Sequence, residues 1–166
     1  MARNPFRQIR DAAADHPPDE QPQVVTEAIH ETIPFVGTAD LAIQTYTSTQ
    51  VTARLHDAPR VHNHIGGLHA AAMALLVETV TGLVVALNVP DASTPVLRAM
   101  ELDFQRRAAG ALQATATLTE AEASRIRARP LGKIDVPVTL SDASDQAPLA
   151  CAMQWAWLPK ARVLDS

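Results

Sequence analysis

The longest apolar stretch of the chain runs from Leu68 to Pro90, and from about Leu68 to Leu87 its hydrophobic residues would occupy every face of a helix. A helix that is hydrophobic all round has to be buried on all sides. The stretch is nominally long enough to span a bilayer. However, Glu78 lies near its middle, where a carboxylate would be costly in lipid. We therefore predict a buried helix within a folded domain rather than a membrane span.

On both sides of this helix the chain changes to a pattern in which every second residue is hydrophobic. Val51, Ala53 and Leu55 alternate with polar residues before it, which predicts half-buried strands. Pro137 cannot donate to a ladder, so its strand is predicted to lie at a sheet edge or to carry a bulge. The further predicted strands begin near Leu41, Leu102, Leu112, Ile134 and Leu149.

The first part of the chain predicts two short helices. Asn4 followed by Pro5 is typical of a helix N-cap and first turn. A second apolar helical pattern from Val25 to Ile33 is expected to stop before Pro34. We divide the chain into an N-terminal helical extension, residues 1–38, and a single α+β domain, residues 39–160. In that domain a curved antiparallel sheet wrapped around the central helix is the economical way to bury it.

Composition narrows the classes of partner and compartment. The 166 residues fit one domain. A net charge of −4 gives no attraction to phosphate backbones or anionic lipids, so we predict neither a nucleic-acid nor a membrane partner. The single cysteine, Cys151, cannot form an intrachain disulfide. Because no apolar run follows the charged N-terminus, no secretory signal is predicted, and a cytoplasmic location fits best.

Glu78 is the main candidate for chemistry, because an unpaired charge inside an apolar helix normally finds a partner or shifts its pKa. A desolvated carboxylate in a cleft can act as general base or nucleophile. The alternative is that Glu78 hydrogen-bonds to a neighbouring strand or loop and only fixes packing. The first turns of the helix carry small side chains, so that a partner helix or a ligand can approach the backbone closely. These small residues are Ala70, Ala71, Ala72 and Ala74.

In type and spacing, Asn63, Gly66, His69 and Glu78 resemble the signature of hot dog thioesterases of the phenylacetyl-CoA thioesterase type. That family has N-x-x-G-x-x-H-G-G, with an acidic residue nine positions after the His. The resemblance covers roughly residues 43–158. It implies the hot dog fold, an antiparallel sheet around a central helix, and hydrolysis of an acyl-CoA or acyl-carrier thioester. No cofactor and no metal are expected.

The resemblance also implies roles for individual residues. In the family, backbone N–H groups at the helix start bind the thioester oxygen, and here that role falls to Ala70, in keeping with the unpaired N–H groups of a helix N-terminus. Glu78 would activate water or attack directly, while Asn63 and His69 position the groups. Alanines replace the family's two glycines. Substrate contacts are expected from Gly66, Gly67, His64, Ala71 and Thr81.

Helix geometry adds a requirement for oligomerisation. From His69 to Glu78 a helix advances roughly 13 Å and turns about half a revolution beyond two turns. One helix therefore cannot place both of its ends on one thioester. If Glu78 and the Ala70 amide act on the same carbonyl, they must come from different subunits, so we predict a homodimer or a dimer of dimers. The sites of the family do lie between subunits.

Two other functions remain open at this point. His64 lies fourteen residues before Glu78, as do the His and Glu of hot dog dehydratases acting on 3-hydroxyacyl thioesters, although that family has H-F-P where this chain has His64-Ile65-Gly66. A non-catalytic acyl-CoA-binding protein is the second alternative, favoured by the alanines in the motif. Three histidines lie close together, but their spacing fits no familiar zinc pattern: His62, His64 and His69.

Overall fold

A computed structural model of the chain describes residues 3–161. Three helices precede the sheet: α1 (Pro5–Ala13), α2 (Gln21–Thr32) and α3 (Pro34–Ala39). The side chain of Asn4 accepts hydrogen bonds from the first turn of α1, as the sequence predicts. The prediction of two helices is wrong, because Pro34 both ends α2 and begins α3. Proline is tolerated at the first position of a helix, where the N–H has no intrahelical partner.

Within residues 3–161, seven strands follow these helices and form two antiparallel sheets, with the orders β1-β2-β4-β6 and β3-β7-β5. Helix α4 (Ala70–Ala86) lies between β2 and β3, and a short 3-10 turn, Pro59–Val61, precedes it. The strands are β1 (Ala42–Tyr46), β2 (Gln50–Leu55), β3 (Ser93–Phe104), β4 (Leu112–Thr117), β5 (Gly132–Asp135), β6 (Val138–Asp142) and β7 (Leu149–Pro159).

The two sheets are joined at Val136 and Pro137. The Val136 N–H donates to the carbonyl of Met153 on β7 at 2.9 Å, whereas the Pro137 carbonyl accepts from Thr117 on β4 at 3.1 Å. Proline has no N–H to continue the first ladder, so the strand changes partners here. β5 and β6, on either side of Pro137, are each the terminal strand of their sheet, so the predicted edge position is confirmed.

One helix was not predicted: α5 (Glu120–Arg127) follows β4. Thr119 accepts from the N–H of Glu122, and the Glu122 carboxylate accepts in return from the N–H of Thr119. This capping box is visible in the sequence as Thr-x-x-Glu. α5 buries Ala123 and Ile126. None of the helices within residues 3–161 is long and apolar enough to cross a membrane.

The sheet wraps around α4, which contacts β2, β3, β4 and β7. This is the predicted hot dog fold. Gly82 lets the helix approach β7, because a Cβ at this position would lie 2.7 Å from the ring of Trp155. The indole N–H of Trp155 then donates to the hydroxyl of Thr81 at 3.0 Å. These contacts fix the middle of the helix against the sheet.

One stripe of α4 is not covered, so the prediction of burial on every side is wrong for this face. Ala70 and Ala71 are exposed, and Ala74 and Glu78 are only partly buried. Residues four apart lie above one another on a helix, so these four form a continuous strip. The strip runs from the start of α4 to Glu78 and contains two of the candidate catalytic residues, Ala70 and Glu78.

Candidate active site

The loop that leads into α4 is shaped by Asn63. Its side-chain oxygen accepts hydrogen bonds from the N–H groups of Ile65, at 3.1 Å, and Gly67, at 3.2 Å. Gly66 within the loop has a φ of +73°, in the left-handed region that glycine adopts without a steric cost. Asn63 and Gly66 therefore fix the path of the chain into the helix.

Arg107 covers this loop, a contact that the sequence did not predict. Its guanidinium donates to the carbonyl of Ile65 at 3.2 Å. A Cβ at Gly67 would lie 2.8 Å from Arg107 Nε, so glycine here is what allows the guanidinium to lie on the backbone. Nothing local in the sequence indicates this contact, because 40 residues separate Gly67 from Arg107.

His69 is the N-cap of α4, and Ala70 is its first residue. His69 Nδ1 accepts the N–H of Ala71 at 3.0 Å, so Nδ1 is unprotonated and the proton of the neutral ring lies on Nε2. The His69 carbonyl accepts the N–H groups of Ala72 and Met73, at 3.0 and 3.1 Å. Of the first four N–H groups of α4, only that of Ala70 has no acceptor within residues 3–161.

A cavity of about 230 Å³ lies beside this first turn of α4, and His69 and Ala71 are part of its wall. Arg60 and His62 add polar groups to the same wall, and Phe35 adds an apolar one. His62 Nε2 lies 2.5 Å from an oxygen of Asp57, which fixes its ring. The start of α4 thus combines an unpaired amide at the positive end of the helix dipole with space for a ligand.

Glu78 lies further along the same strip. The described part of the chain offers its carboxyl group neither a hydrogen bond nor an ion pair, and burial raises its pKa. The bond to a strand or loop that a purely structural role requires is therefore not seen. Glu78 lines a second cavity of about 190 Å³, whose wall also includes Phe6, Ile33 and Trp155.

Within one subunit the structure does not bring Glu78 and Ala70 together. They are eight residues apart on one helix, a rise of about 12 Å. The cavity beside His69 and the cavity beside Glu78 share no residue. A site that used both groups would have to combine the helix start of one copy with the Glu78 region of another.

The remaining candidate residues have simpler surroundings. Thr81 is fully buried, and its hydroxyl donates to the carbonyl of Val77 at 2.8 Å while accepting from Trp155. Its hydroxyl is therefore engaged in the core. His64 is exposed in the loop before α4.

Thr79, next to Glu78, is buried, and residues 3–161 contain no hydrogen-bond partner for its hydroxyl. They also contain no group of three His, Cys, Asp or Glu side chains that could hold a metal ion.

These features define a hot dog protein with candidate groups at both ends of one helical strip, and solved structures share this fold. A Pseudomonas aeruginosa protein described as a probable thioesterase is 24% identical, with a TM-score of 0.71 over 82% of this chain and 95% of that one. A Haemophilus influenzae thioesterase is 16% identical, with a TM-score of 0.63 over 81% and 90%. A thioesterase family protein from Silicibacter pomeroyi is 12% identical, with a TM-score of 0.63 over 81% and 96%.

The sequence itself assigns the family. Residues 22–158 match the family described as a domain of unknown function, DUF4442, and the chain belongs to this family. No curated protein matches the sequence. The matched region includes α4, the loop before it and strands β1 to β7 as far as Leu158.

Proposed function

We propose that the protein hydrolyses acyl-CoA or acyl-carrier thioesters in a site shared by two subunits. The observation that carries this proposal is the Ala70 amide, which has no acceptor among residues 3–161, on the same open helical strip as the Glu78 carboxyl, which has no partner among those residues. The solved structures of similar fold that are called thioesterases support the reaction class. The reaction needs no cofactor, because a carboxylate and an oxyanion site suffice for an electrophilic thioester carbonyl.

In this proposal the thioester oxygen accepts a hydrogen bond from Ala70 N–H, which stabilises the charge that develops during attack. Glu78 of the partner subunit removes a proton from water as the water attacks the carbonyl carbon, or attacks that carbon itself. In the first route the C–S bond then breaks, Glu78 gives the proton it took from water to the departing sulfur, and the products are the carboxylic acid and the thiol. In the second route the C–S bond breaks to release the thiolate and leave a mixed anhydride of Glu78, which water hydrolyses to the acid while restoring the Glu78 carboxyl. A raised pKa makes the Glu78 carboxylate a stronger base. His69, which is part of the wall of the cavity beside the helix start, positions the thioester.

The second copy is expected at the outer edge of β3. The opposite edge of the fold, β1, is covered by α2, where Thr26 accepts the N–H of Ile43 at 2.9 Å. Among the described strands β3 pairs with β7 alone, and it exposes Leu97, Met100 and Phe104, at 37%, 40% and 44%. A long exposed edge strand is a template for pairing with another chain. Since α4 packs against β3, joining two β3 edges would bring two helical strips near each other.

The dehydratase alternative finds no support within one subunit, because His64 is exposed and is not part of the wall of the Glu78 cavity. A non-catalytic acyl-CoA-binding protein would keep both cavities. Hydrolysis releases a thiol, dehydration forms an enoyl thioester, and binding alone forms no product. Product assays therefore separate the three functions.

The test is thiol release from a panel of acyl-CoA thioesters. Glu78→Gln should remain folded and lose at least about a hundredfold in kcat, the lower range for general-base catalysis. Glu31→Gln, an exposed carboxylate on α2, is the matched control and should keep the wild-type rate. Wild-type turnover by Glu78→Gln would show that Glu78 is structural.

Other outcomes identify the alternatives. Saturable acyl-CoA binding without any thiol release would favour the binding protein, and an enoyl product from 3-hydroxyacyl thioesters would favour the dehydratase. Sedimentation that shows only monomer at micromolar concentration would contradict the shared site.

A further inference from the structure

The N-terminal extension is tied to the far end of α4 by Asn4, which is 3% exposed. Its side-chain amide donates to the carbonyls of Ala86, at 2.7 Å, and Val89, at 3.1 Å. The Asn4 N–H donates to Asp91 at 2.9 Å, and Arg7 forms an ion pair with the same carboxylate. The first turn of α1 is therefore held in a defined position over the core.

This anchoring places Phe6, at the start of α1, in the wall of the Glu78 cavity, and Ile33, between α2 and α3, lines the same cavity. The remaining apolar wall comes from the hot dog domain: Leu83, Ala86, Pro95 and Trp155. The cavity is thus a small, mainly apolar chamber that is partly open to solvent, with Glu78 in its wall, and the extension supplies one side of it.

We infer that this chamber holds the acyl group of the substrate and that Phe6 and Ile33 set the length of the chain it accepts. The inference rests on the proposed function, because it takes the reacting carbonyl to lie at Glu78. A cavity of about 190 Å³ holds about six groups the size of a water molecule, at about 30 Å³ each, and a methylene is of similar size. The substrate class is then short aliphatic acyl thioesters, of up to about six carbons.

The length limit can be measured without turnover by using S-alkyl-CoA thioethers, which cannot release a thiol. For the wild-type protein, Kd should fall about fourfold with each added methylene while the chain still fits, the equivalent of about 0.8 kcal/mol per buried methylene. Beyond about six carbons the affinity should stop improving. The measurement is calorimetric titration of an alkyl series from two to twelve carbons.

Two substitutions at Phe6 should move this limit in opposite directions. Phe6→Ala enlarges the chamber, so its limit should rise by about two or more carbons, and Phe6→Trp narrows it, so its limit should fall. Ile33→Ala tests the other side of the wall and should also raise the limit. Ile9→Ala is the matched control, because Ile9 also packs from α1 against the core but lies outside this cavity. Its length profile should be that of the wild type.

The outcomes separate this inference from the proposed function. If Phe6→Ala and Phe6→Trp keep the wild-type length profile, or if no thioether binds saturably, the inference is overturned, whatever the thiol-release assay shows. If the profile shifts as expected but the wild type releases no thiol, the acyl chamber stands and hydrolysis is wrong. Should Phe6→Ala prove unstable, Phe6→Trp and Ile33→Ala still decide the question.

Discussion

Replacing Ala70 with proline would remove the proposed oxyanion donor and little else. Ala70 is the first residue of α4, and its N–H has no acceptor within residues 3–161. His69 before it has φ −69° and ψ 138°, the extended conformation that a residue preceding proline prefers. Proline is also well tolerated at the first position of a helix. Ala70→Pro should therefore fold normally, with a change in the free energy of unfolding within about 1 kcal/mol.

The effect on catalysis should be much larger than the effect on stability. Loss of one oxyanion donor typically lowers kcat by about 10²- to 10³-fold, and that loss is expected in the thiol-release assay. Ala70→Ser keeps the N–H and is the control. Undiminished turnover by Ala70→Pro would show that this amide does not bind the thioester oxygen.

A mixed dimer tests whether the site is shared. One subunit carries Glu78→Gln and the other carries Ala70→Pro, and the heterodimer is isolated by two different affinity tags. If each site takes Glu78 from one subunit and the Ala70 amide from the other, one site of the heterodimer has both groups intact and the second has neither. About half of the wild-type rate per dimer should return. A heterodimer as inactive as its two parents would refute the shared site.

Three further predictions concern stability, each measured by urea unfolding. Because burial raises the pKa of Glu78 from an ordinary value of 4.5, the folded state retains a proton above that pH that the unfolded state has lost. The free energy of unfolding should therefore fall as pH rises from about 4.5 through the folded-state pKa of Glu78, and Glu78→Gln should lack this decrease. Thr79→Val removes a buried hydroxyl without a partner among the described residues, so the variant should be as stable as the wild type or more stable by up to about 1 kcal/mol; a clear loss would reveal a missed hydrogen bond. Asn4→Ala removes the cap of α1 and leaves the carbonyls of Ala86 and Val89 without their donor, and should cost about 2–4 kcal/mol. A loss below about 1 kcal/mol would contradict the anchoring role of Asn4.

The sequence alone was sufficient to predict those structural elements that depend on residues close together in the chain. The apolar stretch around Glu78 determined the central helix, and alternation determined most strands, because both patterns follow from local backbone periodicity. Asn4-Pro5 located the start of α1 for the same reason. Thr119-x-x-Glu122 carried an equally local signal for α5, although the prediction did not use it. The motif from Asn63 to Glu78 also indicated the fold class.

Tertiary structure decided what depends on residues far apart in the chain. Local periodicity cannot show that Pro137 lies where one strand passes from β7 to β4, nor that Arg107 lies on Gly67. An all-apolar helix predicts burial, but which strip stays open depends on how far the sheet and the extension reach around it. Part of the wall of the chamber at Glu78 is Phe6, which is more than seventy residues away in sequence and is held there by the hydrogen bonds of Asn4 to the end of α4. Contacts of this kind are chosen by packing and long-range hydrogen bonding, which leave no periodic trace in the sequence.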